Sequence, residues 1–417
     1  MRWLWVAAVA SVAGCDPPPA PSDASADIAA CGATADAGAA RDGDPAWPPD
    51  EPLPAAFDFP PWLTMPAPGR IVVSWRTVAP STGLVSFGPV DGWRRGLATV
   101  GPAAYLHHVD LGVLRGGTTY AYEVSVDGAR AARRRGVFVT PGGEAVRVVH
   151  LGEFHAPSEA DGVALFGDEI RAFRPHVVVE SGDMVDDGDR LADWRSYLRT
   201  SAPWISNVIL LPCGSNHVDG PGGNALLQEL FVLPGNERWY ETRFGPVLFL
   251  TLDSTYSSLN PDIAAAEPGW LAGAVTAAHD GADDPAFVVA AWHYPACSSS
   301  YAPRAASRAW VMEHLVVPMQ AAGGADLVLV GHDTYYERSR IDLGAGARPL
   351  LHVMSNVGRL APSLPGDNRP ECTPLGTHLE FRSITEVTVT PVTLTARVVE
   401  EYGAEIDSFC VARHAPP

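Results

Sequence analysis

The chain has 417 residues, 48 of them acidic and 29 basic, for a formal net charge of −19. That length exceeds one average domain, so two folded units are expected. The acidic balance disfavours nucleic acid as a partner, because phosphate backbones are held mainly by Lys and Arg. An anionic substrate has to be attracted locally, by bound cations.

Residues 1–15, MRWLWVAAVASVAGC, place Arg2 before an apolar stretch from Trp3 to Ala13, then a small residue and Cys15. The stretch is well short of the roughly 20 residues a spanning helix needs, so it predicts a secretory signal peptide and an exported protein. Val12, Ala13, Gly14 and Cys15 also resemble a bacterial lipobox. The resemblance implies a lipid anchor at Cys15 and a membrane-anchored lipoprotein, periplasmic or at the cell surface; cleavage that loses Cys15 or leaves it unmodified is the alternative. Residues 16–56 are rich in Pro, Ala, Asp, Ser and Gly with few large aliphatic residues, which predicts a disordered tether. As a flexible chain it reaches on the order of 35 Å. No other apolar run is long enough to span a membrane.

From about Trp62 the pattern has period two. Ile71, Val73 and Trp75 alternate with Val72, Ser74 and Arg76, and Tyr120, Tyr122, Val124 and Val126 alternate with Ala121, Glu123, Ser125 and Asp127. Short alternating strands between Gly and Pro signals predict an antiparallel β-sandwich over residues 57–141. His107 and His108 occupy adjacent strand positions, so they point to opposite faces and are read as structural.

Residues 140–145, TPGGEA, are the junction. Beyond them, strands alternate with stretches of helical spacing (160–173, 189–200, 269–279 and 308–321), which predicts an α/β layered domain over 145–410. Val146–His150 leads into Gly152, Glu153, Phe154 and His155; the buried-type run Val177–Val179 leads into Gly182 and Asp183. Val208–Leu211 leads into Cys213, Gly214, Ser215, Asn216 and His217; Phe287–Trp292 ends on His293; Leu327–Val330 ends on Gly331, His332 and Asp333. Five predicted strands thus deliver Asp, Glu, Asn or His at their carboxyl ends, where open α/β sheets hold ligands. Oxygen and imidazole donors converging from several strands suit a metal ion needing roughly four to six ligands. Residues 237–254 add a hairpin and another central strand, read as core, and Ile384–Val389 with Leu394–Val399 read as a closing hairpin.

The ordered motifs G-E-F-H, G-D-M-V-D-D-G, S-N-H, a lone His and G-H-D-T-Y-Y-E-R resemble the calcineurin-like metallophosphoesterases, in particular the branch similar to purple acid phosphatases. The segments R-I-V-V-S-W-R-T, V-S-F-G and G-V-F-V-T-P resemble that branch's fibronectin-III-type N-terminal domain. By this resemblance Asp183 bridges two metal ions, drawn from Fe, Zn or Mn. One metal is held further by Asn216, His293 and His332, and the other by Glu153 and His155. Activated water then attacks a phosphate mono- or diester, and His217 stabilises the developing charge or protonates the leaving group.

Several residues depart from the family pattern. Glu153 stands for an aspartate, Ser215 interrupts G-N-H, Val218 replaces a carboxylate that orients the catalytic histidine, and Thr334 replaces the second histidine of G-H-x-H. Asp186 stands where purple acid phosphatases carry their tyrosinate. One metal site is therefore complete and the other depleted. An exported phosphoesterase is the first reading, and a non-catalytic surface lipoprotein that binds a ligand or partner is the second. Besides Cys15 there are Cys31, Cys213, Cys297, Cys372 and Cys410; Cys372 with Cys410, or Cys213 with Cys297, are the candidate disulfides, and free core thiols are the alternative. The oligomeric state is not legible.

Overall fold

Alternation of β-branched and aromatic residues with small or polar ones builds 20 strands among the described residues, and these gather into three sheets. The computed structural model describes residues 46–92, 96–99, 102–129, 132–219, 224–255, 261–281, 284–299, 305–344, 347–358, 360 and 369–413. The expected signal peptide, Cys15 and the tether up to residue 45 lie outside them. Among the described residues no helix is long and apolar enough to cross a membrane.

The N-terminal strands are β1 (Phe57–Ala67), β2 (Arg70–Ser81), β3 (Gly83–Pro89), β4 (Gly96–Thr99), β5 (Ala104–Val113), β6 (Thr119–Val126) and β7 (Arg133–Val139). They form the expected two antiparallel layers, with β4-β3-β6-β7 as one sheet and β1, β2 and β5 in the other. The layers touch: a Cβ placed on Gly83 of β3 would lie 2.1 Å from the ring of Trp75 on β2. His107 and His108 are structural, on opposite faces. His107 stacks on Trp75 at 4.7 Å, while His108 bonds to Ser74 Oγ at 2.7 Å and to the Glu229 carbonyl at 3.0 Å.

The N-terminal layers are not separate from the region that follows them. Strand β1 pairs in parallel with β10 (Ile209–Pro212), so the outer layer of the N-terminal region is continuous with the following domain. Together with β8 (Val146–Leu151), β9 (Val177–Glu180), β18 (Ser383–Val389), β19 (Thr393–Glu400) and β20 (Glu405–Ala412), they make a nine-stranded sheet ordered β20-β19-β18-β8-β9-β10-β1-β2-β5. Trp62 of β1 and Val148 of β8 belong to one hydrophobic core, not two. Residues 46–56, read from composition as tether, also lie on the body. Trp47 packs against the core, and Arg171 and Arg134 donate to the carbonyls of Pro48 and Glu51.

The second sheet of the α/β region has seven strands, β11 (Tyr240–Phe244), β12 (Val247–Thr251), β13 (Phe287–Ala291), β14 (Leu327–Val330), β15 (Tyr336–Ile341), β16 (Leu350–Met354) and β17 (Cys372–His378), in the order β11-β12-β13-β14-β16-β15-β17. The five motif strands are thus split, β8, β9 and β10 in one sheet and β13 and β14 in the other. Alternation along β12 shows how the sheets stack: Val247 and Phe249 enter the core shared with β8 and β9, and Leu248 and Leu250 enter a second core. That second core is closed by helix α5 (Pro261–His279), helix α6 (Ala305–Val311), a π-helical turn (Met312–Val316) and helix α7 (Val317–Ala321). Helices α1 (Ala160–Leu165), α2 (Gly167–Phe173), α3 (Leu191–Thr200) and α4 (Ala225–Leu230) contribute to the first.

Both candidate disulfides are also corrected. The bond joins Cys297, in the loop after β13, to Cys372 on β17 with a Cα separation of 5.8 Å, and Cys213 is a buried free thiol. Cys213 follows β10 of the other sheet, whereas Cys372 lies on the edge strand of the sheet that carries β13. Cys410 is disulfide-bonded, and not to Cys372.

Candidate metal centre

The carboxyl ends of β8, β9, β10, β13 and β14 meet at the seam between the two large sheets, and all seven of the predicted site residues come together there. Among the described residues, Glu153, Asp183, His293 and His332 each present a donor atom within 4.8 Å of the others, and so do His155, Asp183 and His217. Asn216 joins the first group through its Oδ1, 3.0 Å from His293 Nε2.

The backbone is bent to make this possible. Seven described non-glycine residues have positive φ, and four of them are Glu153, His155, Asp183 and His332. Left-handed non-glycine residues each cost of order 1–3 kcal/mol and persist where the surroundings impose them. Gly182, with φ of 101°, brings β9 so close to motif three and β13 that a Cβ would lie 2.6 Å from Ser215 and 2.7 Å from the His293 ring. The loops are also stitched together. The N–H groups of Phe154 and His155 donate to the Asp183 carbonyl at 2.9 and 2.8 Å, and the Asp183 N–H donates to Ser215 Oγ at 2.8 Å. Ser215, which interrupts the family's G-N-H, therefore helps tether the S-N-H loop to the loop that carries Asp183.

His293 is oriented from three sides. Its Nδ1–H donates to the Ser181 carbonyl at 2.8 Å, so in the neutral ring Nε2 carries the lone pair. Its N–H and that of Tyr294 both donate to Ser254 Oγ, at 3.1 and 2.8 Å. Around Nε2 stand Asp183 Oδ2 at 3.1 Å, Asn216 Oδ1 at 3.0 Å and His332 Nδ1 at 2.9 Å. Donors bonded at about 2.1 Å and separated by 90–110° lie roughly 3.0–3.4 Å apart, so this set fits a metal ion in both spacing and chemistry.

The second half is more acidic. His155 Nε2 is 2.6 Å from Glu153 Oε2 and 3.6 Å from Asp183 Oδ2, while its Nδ1 is 3.6 Å from Asp186 Oδ1. Asp186 also accepts from the N–H and hydroxyl of Ser158 at 2.9 and 2.7 Å. Burial lowers the affinity of His155 for a proton, but its hydrogen bond to Glu153 and the charges of Glu153 and Asp183 outweigh it, lifting the imidazole to about 9. Burial, then the charge of Asp183, raises Glu153; the charges of His293, His217 and His155 hold Asp183 well below the carboxylate range against its burial. Glu153 and Asp183 thus crowd negative charge into a dry site, the condition a bound cation relieves. Thr334 is half-buried.

His217 is held by the backbone of the same loops. Its N–H donates to Asp183 Oδ1 at 3.2 Å, and its ring Nδ1 donates to the Asp186 carbonyl at 2.7 Å. The carbonyl supplies the orientation that a carboxylate at position 218 was expected to give, and it leaves Nε2 facing the site, with the ring 4.4 Å from that of His155. Ser181, Ser254 and Tyr294 were missed by the sequence reading. Tyr294 sets its ring across His332 at 4.3 Å. All three carried the same weak signal, since each lies just past an apolar run, of β9, β12 or β13, as the ligands do.

Behind the ligands the strand ends carry buried neutral groups. His150 Nε2 bonds with Ser181 Oγ at 2.9 Å, and burial depresses His150 to about 3; His352, depressed to about 3 by burial and then by the Arg308 charge, accepts from the Ala296 N–H at 3.3 Å.

With this geometry in hand, solved structures supply a comparison. The chain is similar to a purple acid phosphatase, PPD1, from yellow lupin (Lupinus luteus) seeds, with a TM-score of 0.65, 17% identity and coverage of 85% of this chain and 74% of that one. It shares the fold of that phosphatase. It is also similar to PhoD, with a TM-score of 0.60, 12% identity and coverage of 86% and 94%, and to GAP50, the anchor in the inner membrane complex of Plasmodium, with a TM-score of 0.50, 15% identity and coverage of 66% and 90%. No protein-family model and no curated protein matches the sequence. In the fold as this chain builds it, the candidate metal donors come from the strand ends of two sheets, and the N-terminal layers share one of those sheets.

Proposed function

We propose that this chain is an exported, metal-dependent phosphoesterase acting on phosphate mono- or diesters. The observation that carries the reading is the placement of Asp183, Asn216 and His332 around His293 Nε2 at 2.9–3.1 Å, with His217 beside them and fixed by two backbone groups. Asp183, Asn216, His293 and His332 would hold one cation; Glu153, His155 and Asp183 would hold a second, with Asp186 in reach. A bound divalent or trivalent ion supplies Lewis acidity, acidifying water and neutralising charge on the phosphoryl oxygens. The chain's own residues position and protonate. Asp183 ties the two halves together through its carboxylate and carbonyl, and His217 Nε2 faces the site to donate a hydrogen bond or proton to the ester oxygen as it leaves.

The similarity to the fold of the lupin enzyme supports the reaction class, as does the chemistry of the donors. The signal segment and the Cys15 lipobox support a membrane-anchored lipoprotein in the periplasm or at the cell surface, and the two-layer N-terminal strands support a fibronectin-III-type unit fused to the catalytic sheet. The non-catalytic reading rests on one observation, the absence of an imidazole at Thr334. Turnover of generic mono- and diester substrates with added Mn²⁺, Zn²⁺ or Fe decides between them. Hydrolysis that vanishes in Asp183→Ala supports the enzyme; no hydrolysis with any metal, by protein that binds metal, supports the binding module.

A further inference from the structure

A second charged site lies at the other end of the same strands. A pocket of about 810 Å³ is lined by Trp47, Glu123, Arg133, Arg134, Arg135 and Arg171, among others. Arg171 is on α2, ahead of β9, and the lining residue Asn207 precedes β10, so the pocket faces the amino ends of the strands whose carboxyl ends carry Asp183 and Asn216. A four-residue strand spans about 13 Å, which separates the pocket from the metal centre.

Its charges are not fully paired. Glu123 takes Arg133 at 3.0 Å and Arg135 at 2.9 Å, and Asp50 stands 3.8 Å from Arg134. Arg171 donates only to the carbonyls of Pro203 and Pro48, and among the described residues no carboxylate lies within 4 Å of it. Arg134 is 8% exposed; two of its nitrogens reach the carbonyls of Glu51 and Ala202, while its Nε has no partner, and neither does the buried Nε of Arg133. Four guanidinium groups therefore line the pocket with the carboxylates of Glu123 and Glu51, and Asp50 stands beside Arg134, an excess of one positive charge on a chain of net −19.

We propose that this pocket binds a phosphate-bearing anion, with Arg133, Arg134 and Arg171 as its donors. Several guanidinium forks arriving from different directions match the multiple acceptor oxygens of phosphate better than a carboxylate. The ligand is either a free phosphate or the phosphate of a lipid headgroup. Ala46, the first described residue, lines the pocket, and a lipid anchor at Cys15 would bring headgroups within reach of it.

Calorimetric titration of the purified full chain with inorganic phosphate tests this, using Asp183→Asn to silence binding at the metal centre. One equivalent is expected to bind, and Arg171→Gln with Arg133→Gln should weaken it at least tenfold. Arg135→Gln, at a lining side chain that is 70% exposed, should weaken it several-fold by removing a positive charge from the pocket, with little change in thermal midpoint. In a second arm, on the Cys15→Ala chain so that no acyl anchor contributes, co-sedimentation with phosphatidylglycerol vesicles but not phosphatidylcholine vesicles, lost in Arg171→Gln, identifies the headgroup as the source. Phosphate binding without vesicle binding identifies the free anion. Absence of both, or phosphate binding unchanged in the folded double variant, overturns the proposal.

Discussion

Three of the site residues are positioned by groups that are not candidate ligands, backbone carbonyls and serine hydroxyls. His293 depends on the Ser181 carbonyl and Ser254 Oγ, His217 on the Asp186 carbonyl, and Asp183 on Ser215. His217→Ala should lower turnover by roughly 10²–10⁴-fold while leaving metal content intact, because it removes a proton donor and not a ligand. Thr334→His should raise occupancy of the second metal, since lost outer-shell partners alone typically cost about 10–100-fold in affinity and an imidazole is a direct donor. Elemental analysis after dialysis against a mild chelator reads the metal content of both variants; two tightly held metals in the wild type would show that Asp186, Glu153 or another side chain has taken over the missing ligand's role.

At the scale of elements, the motifs were legible because each donor follows an apolar run, as Val177–Val179 precede Asp183 and Leu327–Val330 precede His332. What was not legible is pairing between distant segments. The β1–β10 ladder leaves no mark on either strand, because parallel partners far apart in sequence share no turn. For the same reason the Cys297–Cys372 bond could not be told from its alternatives. Carbonyls that orient imidazoles are invisible too, since every residue has one. Gly182→Ala should destabilise the fold by about 2 kcal/mol or more, through its left-handed φ and its contact with His293, and should reduce metal binding. Urea unfolding of metal-free protein separates the two effects. Breaking the Cys297–Cys372 bond, which spans 75 residues, should cost about 2–4 kcal/mol.

Across the whole molecule, the shared core predicts that residues 46–141 cannot be removed. A chain starting at residue 142 exposes one edge of β10 and loses Trp62 and its neighbours, so it should be insoluble or molten, whereas an independent domain would remain folded by circular dichroism. Buried titratable groups set its response to pH. His150 and His352 are held near 3, below their unfolded values, so their contribution is present above about pH 6.5 and is lost as pH falls towards 3. At pH 5 each should cost about 2 kcal/mol relative to pH 7. Glu180, raised to about 8 by burial despite the hydrogen bond from Tyr197, acts in the opposite direction, losing stability as pH rises from about 4.5 to 8. Glu180→Gln should therefore stabilise the protein at pH 8 and leave its low-pH limb unchanged in denaturant titrations.

The most direct test of the metal centre is calorimetric titration of chelator-treated protein with Mn²⁺ or Zn²⁺, wild type beside Asp183→Ala. One tight equivalent and a second weak or absent one are expected in the wild type, with both lost in the variant. Equal binding by the two proteins, or none by a folded wild type, would contradict the assignment of the seam between the sheets as a metal centre.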